Sequence, residues 1–192
     1  MARLIIMGPP GSGKGTQAEH IARHFGIPAI STGELFRTHV GDKTELGAEA
    51  SGYMDRGDFV PDHVTTAMLR ARLEEADAAD GFLLDGYPRT VIQIGALDEM
   101  LADRQQTLEV VLELTAPDDE LLARILRRAQ EQGRADDTEP AIQRRLELYR
   151  DETQPVLTAY SHRGILLSID GSGQPETITK AAIAALEGSL AG

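Results

Sequence analysis

The chain has no cysteine and no tryptophan, and its 192 residues include only four tyrosines and four phenylalanines. The missing thiols exclude disulfides, thiol nucleophiles and every thiolate metal site. With aromatics at 4%, any core must be aliphatic. Cations are scarce as well: 19 Lys and Arg face 31 Asp and Glu, a formal net charge of −12. A chain of that sign repels phosphate backbones and anionic lipid, which argues against nucleic-acid and membrane partners. No run approaches the roughly 18 apolar residues that span a bilayer. The apolar start, Met1–Met7, runs straight into Gly8-Pro9-Pro10-Gly11, too short for a secretory signal and without a cleavage site, so a cytoplasmic address is expected. There are no internal repeats, low-complexity tracts or long charge blocks. What is present is 41% hydrophobic residues, enough for one domain with small appendages.

The apolar period switches between short runs and helical spacing, which is the α/β signature. Strands are expected at Arg3–Met7, Ile27–Ile30, Phe82–Leu84, Glu109–Leu114 and Ile165–Ile169. The first, third and fourth are nearly all apolar, as parallel strands covered on both faces must be. A helix from Lys14 buries Ala18, Ile21, Ala22 and Phe25 and stops at Gly26. Asp118–Gln130 repeats the pattern with Leu121, Leu122, Ile125 and Leu126; Thr138–His162 reads as a long helix bent at Pro155. A last helix opens at Pro175 and closes at Gly188. The second and third strands are separated by about fifty residues, far beyond the usual ~2–6-residue connection. That insertion can hold a small helical subdomain over residues 31–60.

Four constellations carry chemistry. The first is Gly8-Pro-Pro-Gly11-Ser12-Gly13-Lys14-Gly15-Thr16. It follows a buried strand and opens a helix, where glycines turn amides onto an anion and Lys14 reaches the outer phosphates. Gly15 stands where the general pattern has a Ser or Thr Mg²⁺ ligand; the hydroxyl comes one residue later, at Thr16. The second is Asp85-Gly86-Tyr87-Pro88-Arg89 after Phe82-Leu-Leu. Alone it is ordinary turn composition; beside a phosphate loop, a carboxylate at a strand end can hold the hydration shell of Mg²⁺. The third is the set Arg37, Arg89, Arg124, Arg128, Arg134 and Arg145, whose guanidinium forks suit phosphate oxygens. For Arg127 and Arg144 a solvated helix face with local ion pairs is the expected role. The fourth is Ser31-Thr32-Gly33-Glu34 with Arg37 a turn later, either a plain helix cap from Ser31 or Thr32 or the floor of a second anion pocket. The five histidines show no metal spacing; His20 and His24 lie one turn apart with no third ligand.

Taken in order, GPPGSGKGTQ, ISTGELFR, GDFVPD, FLLDGYPRT, GRADDT and RRLELYRDET closely resemble the adenylate kinase family in its short-lid bacterial form. The Lys-Gly-Thr phosphate loop is that family's own habit. The resemblance implies a single-domain phosphate-loop fold of three layers around a parallel five-stranded sheet. Its core would be residues 1–30, 61–126 and 138–192, with a monophosphate-binding subdomain at 31–60 and a short lid at 127–137. It implies Mg²⁺-dependent transfer between ATP and AMP giving two ADP. Gly11, Ser12, Gly13, Lys14, Gly15 and Thr16 would cradle ATP, with Arg124 against its adenine, Gly173 at the adenine edge and Arg128 on its phosphates. Thr32, Arg37, Asp58, Phe59, Val60, Gly86, Tyr87, Pro88, Arg89 and Gln93 would form the AMP site. Arg134 and Arg145 would grip both nucleotides, and Asp85 would orient Mg²⁺ through water. Lys14, Arg89, Arg128, Arg134 and Arg145 would form the catalytic set.

The reaction fits these residues. A loose phosphoryl transition state asks for alignment and charge neutralisation, and an acceptor phosphate with second pKa ~6 is already ionised near neutrality, so no general base is assigned. A lid would exclude water. No structural zinc is expected, because residues 128–134 contain neither Cys nor His, and the chain is expected to be a monomer. A pyrimidine-monophosphate kinase is the competing enzyme and a catalytically silent nucleotide sensor the competing class. Thr32 and Gln93 favour adenine, since relatives acting on pyrimidines tend to carry Ala and Asn there. A Gln amide can pair with both N6 and N1 of adenine.

Overall fold

The computed structural model describes residues 2–132 and 138–191, and side chains within that range except those of residues 118, 119 and 128–132. Five strands form one all-parallel sheet: β1 (Arg3–Met7), β2 (Ala29–Ser31), β3 (Phe82–Asp85), β4 (Val110–Thr115) and β5 (Leu166–Asp170). Their spatial order is β2-β3-β1-β4-β5. Alternation along each strand sends side chains to two cores. Ile5, Met7, Phe82, Leu84 and Val111 join one cluster; Leu4, Ile6, Leu83, Val110, Leu112 and Leu114 join the other. The second is covered by α1 (Lys14–Phe25) and α9 (Pro175–Leu190) through Ile21, Ala22, Ile178, Ala182 and Leu186. The first is covered by α4 (Asp62–Leu73), α5 (Val91–Ala102) and α8 (Gln154–His162), with Leu69, Leu97, Met100, Val156 and Tyr160 against the sheet. The molecule is therefore the expected three-layer α/β fold with a five-stranded parallel sheet.

The insertion folds as α2 (Thr32–Gly41) and α3 (Glu45–Arg56). Ser31 caps α2 by accepting from the Glu34 amide, and Thr44 caps α3 by accepting from Gly47. Phe36, Ala50 and Val60 make a third cluster with Val64 and Met68. The small core thus extends past residue 60 into α4.

Besides one-residue shifts at the ends of β2, β3, β4 and β5, four departures from the sequence reading stand out. β2 starts at Ala29 because Pro28 has no amide to give the ladder. α6 (Asp118–Gln132) runs two residues past the expected end at Gln130, within the segment expected to be lid, and residues 133–137 of that segment lie outside the described residues. The long helix divides into α7 (Glu139–Leu148), a π-turn at Tyr149–Thr153, and α8. Its irregularity thus precedes Pro155, whose ring nitrogen cannot close the α-type bond to residue 151. α9 runs through Gly188 to Leu190, because Leu190 still packs on the second core. Of the four aliphatic residues expected to be buried along α6, Leu121 and Ile125 are, but Leu122 and Leu126 are 46% and 45% exposed. The helix therefore carries an outward apolar pair where its spacing predicts a fully covered stripe.

Candidate active site

Parallel strands send every chain end to one side, and β1 lies between β3 and β4, where the connections diverge; ligands of open α/β sheets bind at that crevice. Register sets Ser31 opposite Asp85 and Asp85 opposite Ile6, so the turns after β1, β2 and β3 meet around one cleft of about 750 Å³.

Gly13 adopts the left-handed conformation, φ 89°, at the start of α1, which is open to glycine and costly for other residues. The loop wraps the helix N-terminus, and the Lys14 ammonium donates to the carbonyls of Gly8 and Pro9 at 2.7 and 3.0 Å. Ser12 is buried, yet its hydroxyl has no partner among the described residues. A buried orphan hydroxyl inside a phosphate-type loop is what an anion's oxygen would satisfy.

Across the cleft, Ser31 caps the helix, and this leaves the neighbouring Thr32 hydroxyl to donate to the Gly86 carbonyl at 2.9 Å. Gly86 has φ 82°, and a Cβ there would meet Thr32 Oγ1 at 2.8 Å and Arg89 Nη2 at 2.9 Å. Arg89 donates through Nε to the same carbonyl at 2.8 Å and lies 5.2 Å from the centre of the Phe59 ring. Burial pulls the Arg89 guanidinium below the usual arginine range, and Arg145 and Arg37 push the same way while Asp85 opposes them. Tyr87 is buried under this turn, held by Thr66 and by the Gln93 carbonyl; burial raises its pKa.

Among the described residues, six cleft-lining side chains are cationic in a chain of net charge −12: Lys14, Arg37, Arg89, Arg124, Arg127 and Arg145. Arg124 donates to the Gly171 carbonyl at 2.9 Å and pairs with Glu120 at 2.9 Å, bracing the loop that carries Gly173. Thr16, Asp58, Val60, Pro88, Gly15, Gly11 and Gln93 also line the cleft. Asp85 stands beside the first turn of α1, its Oδ2 being 3.9 Å from where a Gly15 Cβ would lie. Arg134 and the side chain of Arg128 lie outside the described residues.

Several contacts around the cleft go beyond the sequence reading. Arg127 lines the cleft instead of serving only a solvated helix face. Arg144 is likewise more than a local pair: it donates to Asp58 Oδ1 at 2.9 Å, bridging α7 to the end of the α2–α3 insertion. Arg144 and Arg56 together lower the Asp58 carboxyl. Tyr149 and Thr153, from the π-turn, also line the cleft, and Thr153 donates to the Arg89 carbonyl at 3.1 Å. No local motif signals such contacts, since each partner is remote in sequence.

A phosphate loop facing a second cationic floor, with a strand-end carboxylate between them, defines a nucleotide-binding phosphotransferase of the phosphate-loop kinase class. A profile of the family described as Adenylate kinase matches residues 6–165. The chain is 53% identical over 191 residues to the adenylate kinase of Pseudarthrobacter chlorophenolicus, covering 100% of both chains. To that of Kocuria rhizophila it is 54% identical over 187 residues, 97% of this chain and 100% of the relative. To that of Thermobifida fusca it is 50% identical over 185 residues, 96% and 98% respectively. The chain belongs to the adenylate kinase family. The pyrimidine-kinase alternative is not favoured by these relatives.

Proposed function

We propose that the cleft transfers the γ-phosphoryl group of ATP to AMP, reversibly, giving two ADP. The observation that carries this reading is the pairing of a phosphate loop containing an orphan buried hydroxyl with a second, arginine-rich floor built from Thr32, Arg37 and Arg89. A loop that only hydrolysed ATP would have no use for that floor. Gly11–Thr16 and Arg124 hold ATP, and residues 58–60, 86–89 and Gln93 hold AMP. Arg145, with Arg128 and Arg134, neutralises the charge shared between the two nucleotides in the transition state.

Asp85 is the carboxylate suited to Mg²⁺. No group of three or more His, Cys, Asp or Glu residues that could hold a metal occurs among the described residues. That fits an ion carried mainly by phosphates and waters with one carboxylate behind them. When bound, Mg²⁺ supplies charge neutralisation at the transferring phosphates. The protein's own residues align the acceptor oxygen with the donor phosphorus and strip water from the gap.

Residues 31–60 serve as the monophosphate-binding subdomain and 127–137 as the lid, in a cytoplasmic monomer. No helix among the described residues is long and apolar enough to cross a membrane. The lid holds no structural zinc, so elemental analysis is expected to find none bound stoichiometrically. Chelator is expected to leave the melting temperature of the apoprotein unchanged; a lowered one would overturn this reading.

The test of function is ADP formation from ATP, Mg²⁺ and a panel of monophosphates. AMP is expected to exceed UMP and CMP in kcat/KM by at least about tenfold, and Gln93→Ala to erode that preference more than it slows UMP. Faster turnover of UMP or CMP would overturn the choice of acceptor.

A further inference from the structure

Gln93 is 2% exposed, and both ends of its side-chain amide are engaged. Its Oε1 accepts from the Arg89 amide at 2.7 Å, and its Nε2 donates to Asp62 Oδ1 at 2.7 Å. The other carboxylate oxygen, Asp62 Oδ2, accepts from the Thr90 hydroxyl at 3.0 Å, and that hydroxyl in turn accepts from the Gln93 backbone amide at 3.2 Å. Both partners of the side-chain amide have a fixed sense, since a backbone N–H only donates and a carboxylate only accepts. The orientation of the amide is therefore dictated by its surroundings. One N–H of Nε2 and one lone pair of Oε1 remain for a ligand, with their order fixed.

We propose that Asp62 is a positioning residue for base selection, which locks the Gln93 amide in the sense that reads adenine and rejects 6-oxopurines. This rests on the reading that Gln93 faces the acceptor base. Adenine presents an acceptor at N1 beside a donor amine at C6; hypoxanthine and guanine present a donor at N1 beside an acceptor oxygen at C6. A Gln amide free to rotate by half a turn would suit either edge. Held by Asp62 and Arg89, it suits only the first, and a 6-oxopurine would leave buried groups unpaired. Asp62 also opens α4, where a carboxylate suits the helix N-terminus whatever the ligand. A role confined to that end would affect stability without affecting the choice of base.

The experiment compares AMP with IMP as acceptors in the full chain, measuring kcat/KM for each and KM for ATP, beside melting curves. Asp62→Ala is expected to lower the AMP-to-IMP ratio at least about tenfold, mostly through acceptor KM, with KM for ATP unchanged within about twofold. Asp62→Asn keeps an oxygen toward Nε2 and is expected to retain the ratio within about threefold. Should Asp62→Ala not fold, Asp62→Ser serves instead, because its side chain is too short to reach the amide yet suits a helix start. A folded Asp62→Ala or Asp62→Ser variant that keeps the wild-type ratio overturns the inference. Gln93→Ala separates the two levels. If it retains the base preference, the placement of Gln93 on the base falls and this inference falls with it. If it loses the preference while Asp62→Ala keeps it, only the role of Asp62 falls.

Discussion

Lys14→Met is expected to lower turnover by two orders of magnitude or more while the chain still folds. In the structure the ammonium spans the inside of the loop, donating to the Gly8 and Pro9 carbonyls. Losing those half-buried contacts costs the fold about 0.5–1.5 kcal/mol each, within the reserve of an ordinary domain. Catalysis loses far more. Charge gathers on the transferring phosphoryl and its bridging oxygen, and one preorganised donor at such a place is worth about 10²–10³ in rate. Met fills nearly the same space without the charge, so the variant isolates the electrostatic contribution. Steady-state ADP formation checks it, with circular dichroism as the control for folding. A rate above about one tenth of wild type, a loss under about 1.4 kcal/mol, would remove Lys14 from the transition state.

How much of this is legible in the sequence depends on the range of the interaction. The phosphate loop can be read because its chemistry is local: a buried strand, glycines at fixed spacing, then a lysine opening a helix. The interior strands β1 and β3 are legible for a similar reason, being covered on both faces and hence continuously apolar. Gly188 misleads because a glycine costs a helix only ~1 kcal/mol, and Leu190 beyond it finds the core. Leu122 and Leu126 mislead because a broad apolar stripe in sequence does not say how much of it the sheet can cover. The long-range contacts of Asp62 and Arg144 are invisible altogether. Asp62 meets Gln93 across 31 positions and Arg144 meets Asp58 across 86. On sequence grounds each is an ordinary charge at a helix start or on a helix face. The π-turn is suggested only indirectly by Pro155, and nothing local indicates that Thr153 reaches Arg89.

Arg89→Met is expected to reduce kcat/KM for AMP by about 10³ or more without lowering the melting temperature of the ligand-free protein by more than about 3 °C. The two halves of this result have one cause. Arg89 lies partly buried with Arg37 and Arg145 acting on it, and Asp85 is the carboxylate that opposes them. Like charges gathered away from water burden the empty fold, so removing one relieves repulsion. Against that relief stand the bond to the Gly86 carbonyl and the contact with Phe59. Met gives up both the bond and the guanidinium's place over the ring, and keeps only an apolar stem of similar length beside them. A phosphate dianion reverses the balance, because a guanidinium fork donates to two of its oxygens at once and the crowded positive charges all attract it. Thermal shift separates these contributions. At a hundredfold excess over Kd, AMP should stabilise the wild type by ~2.7 kcal/mol, a rise of roughly 5–10 °C for a chain of this length. In Arg89→Met that rise should vanish, while the shift caused by ATP, held by the loop around Lys14, should persist. A variant that melts far below the wild type yet still responds fully to AMP would make Arg89 a structural brace, and the second anion pocket would then have to be built on Arg37 and Arg145 alone.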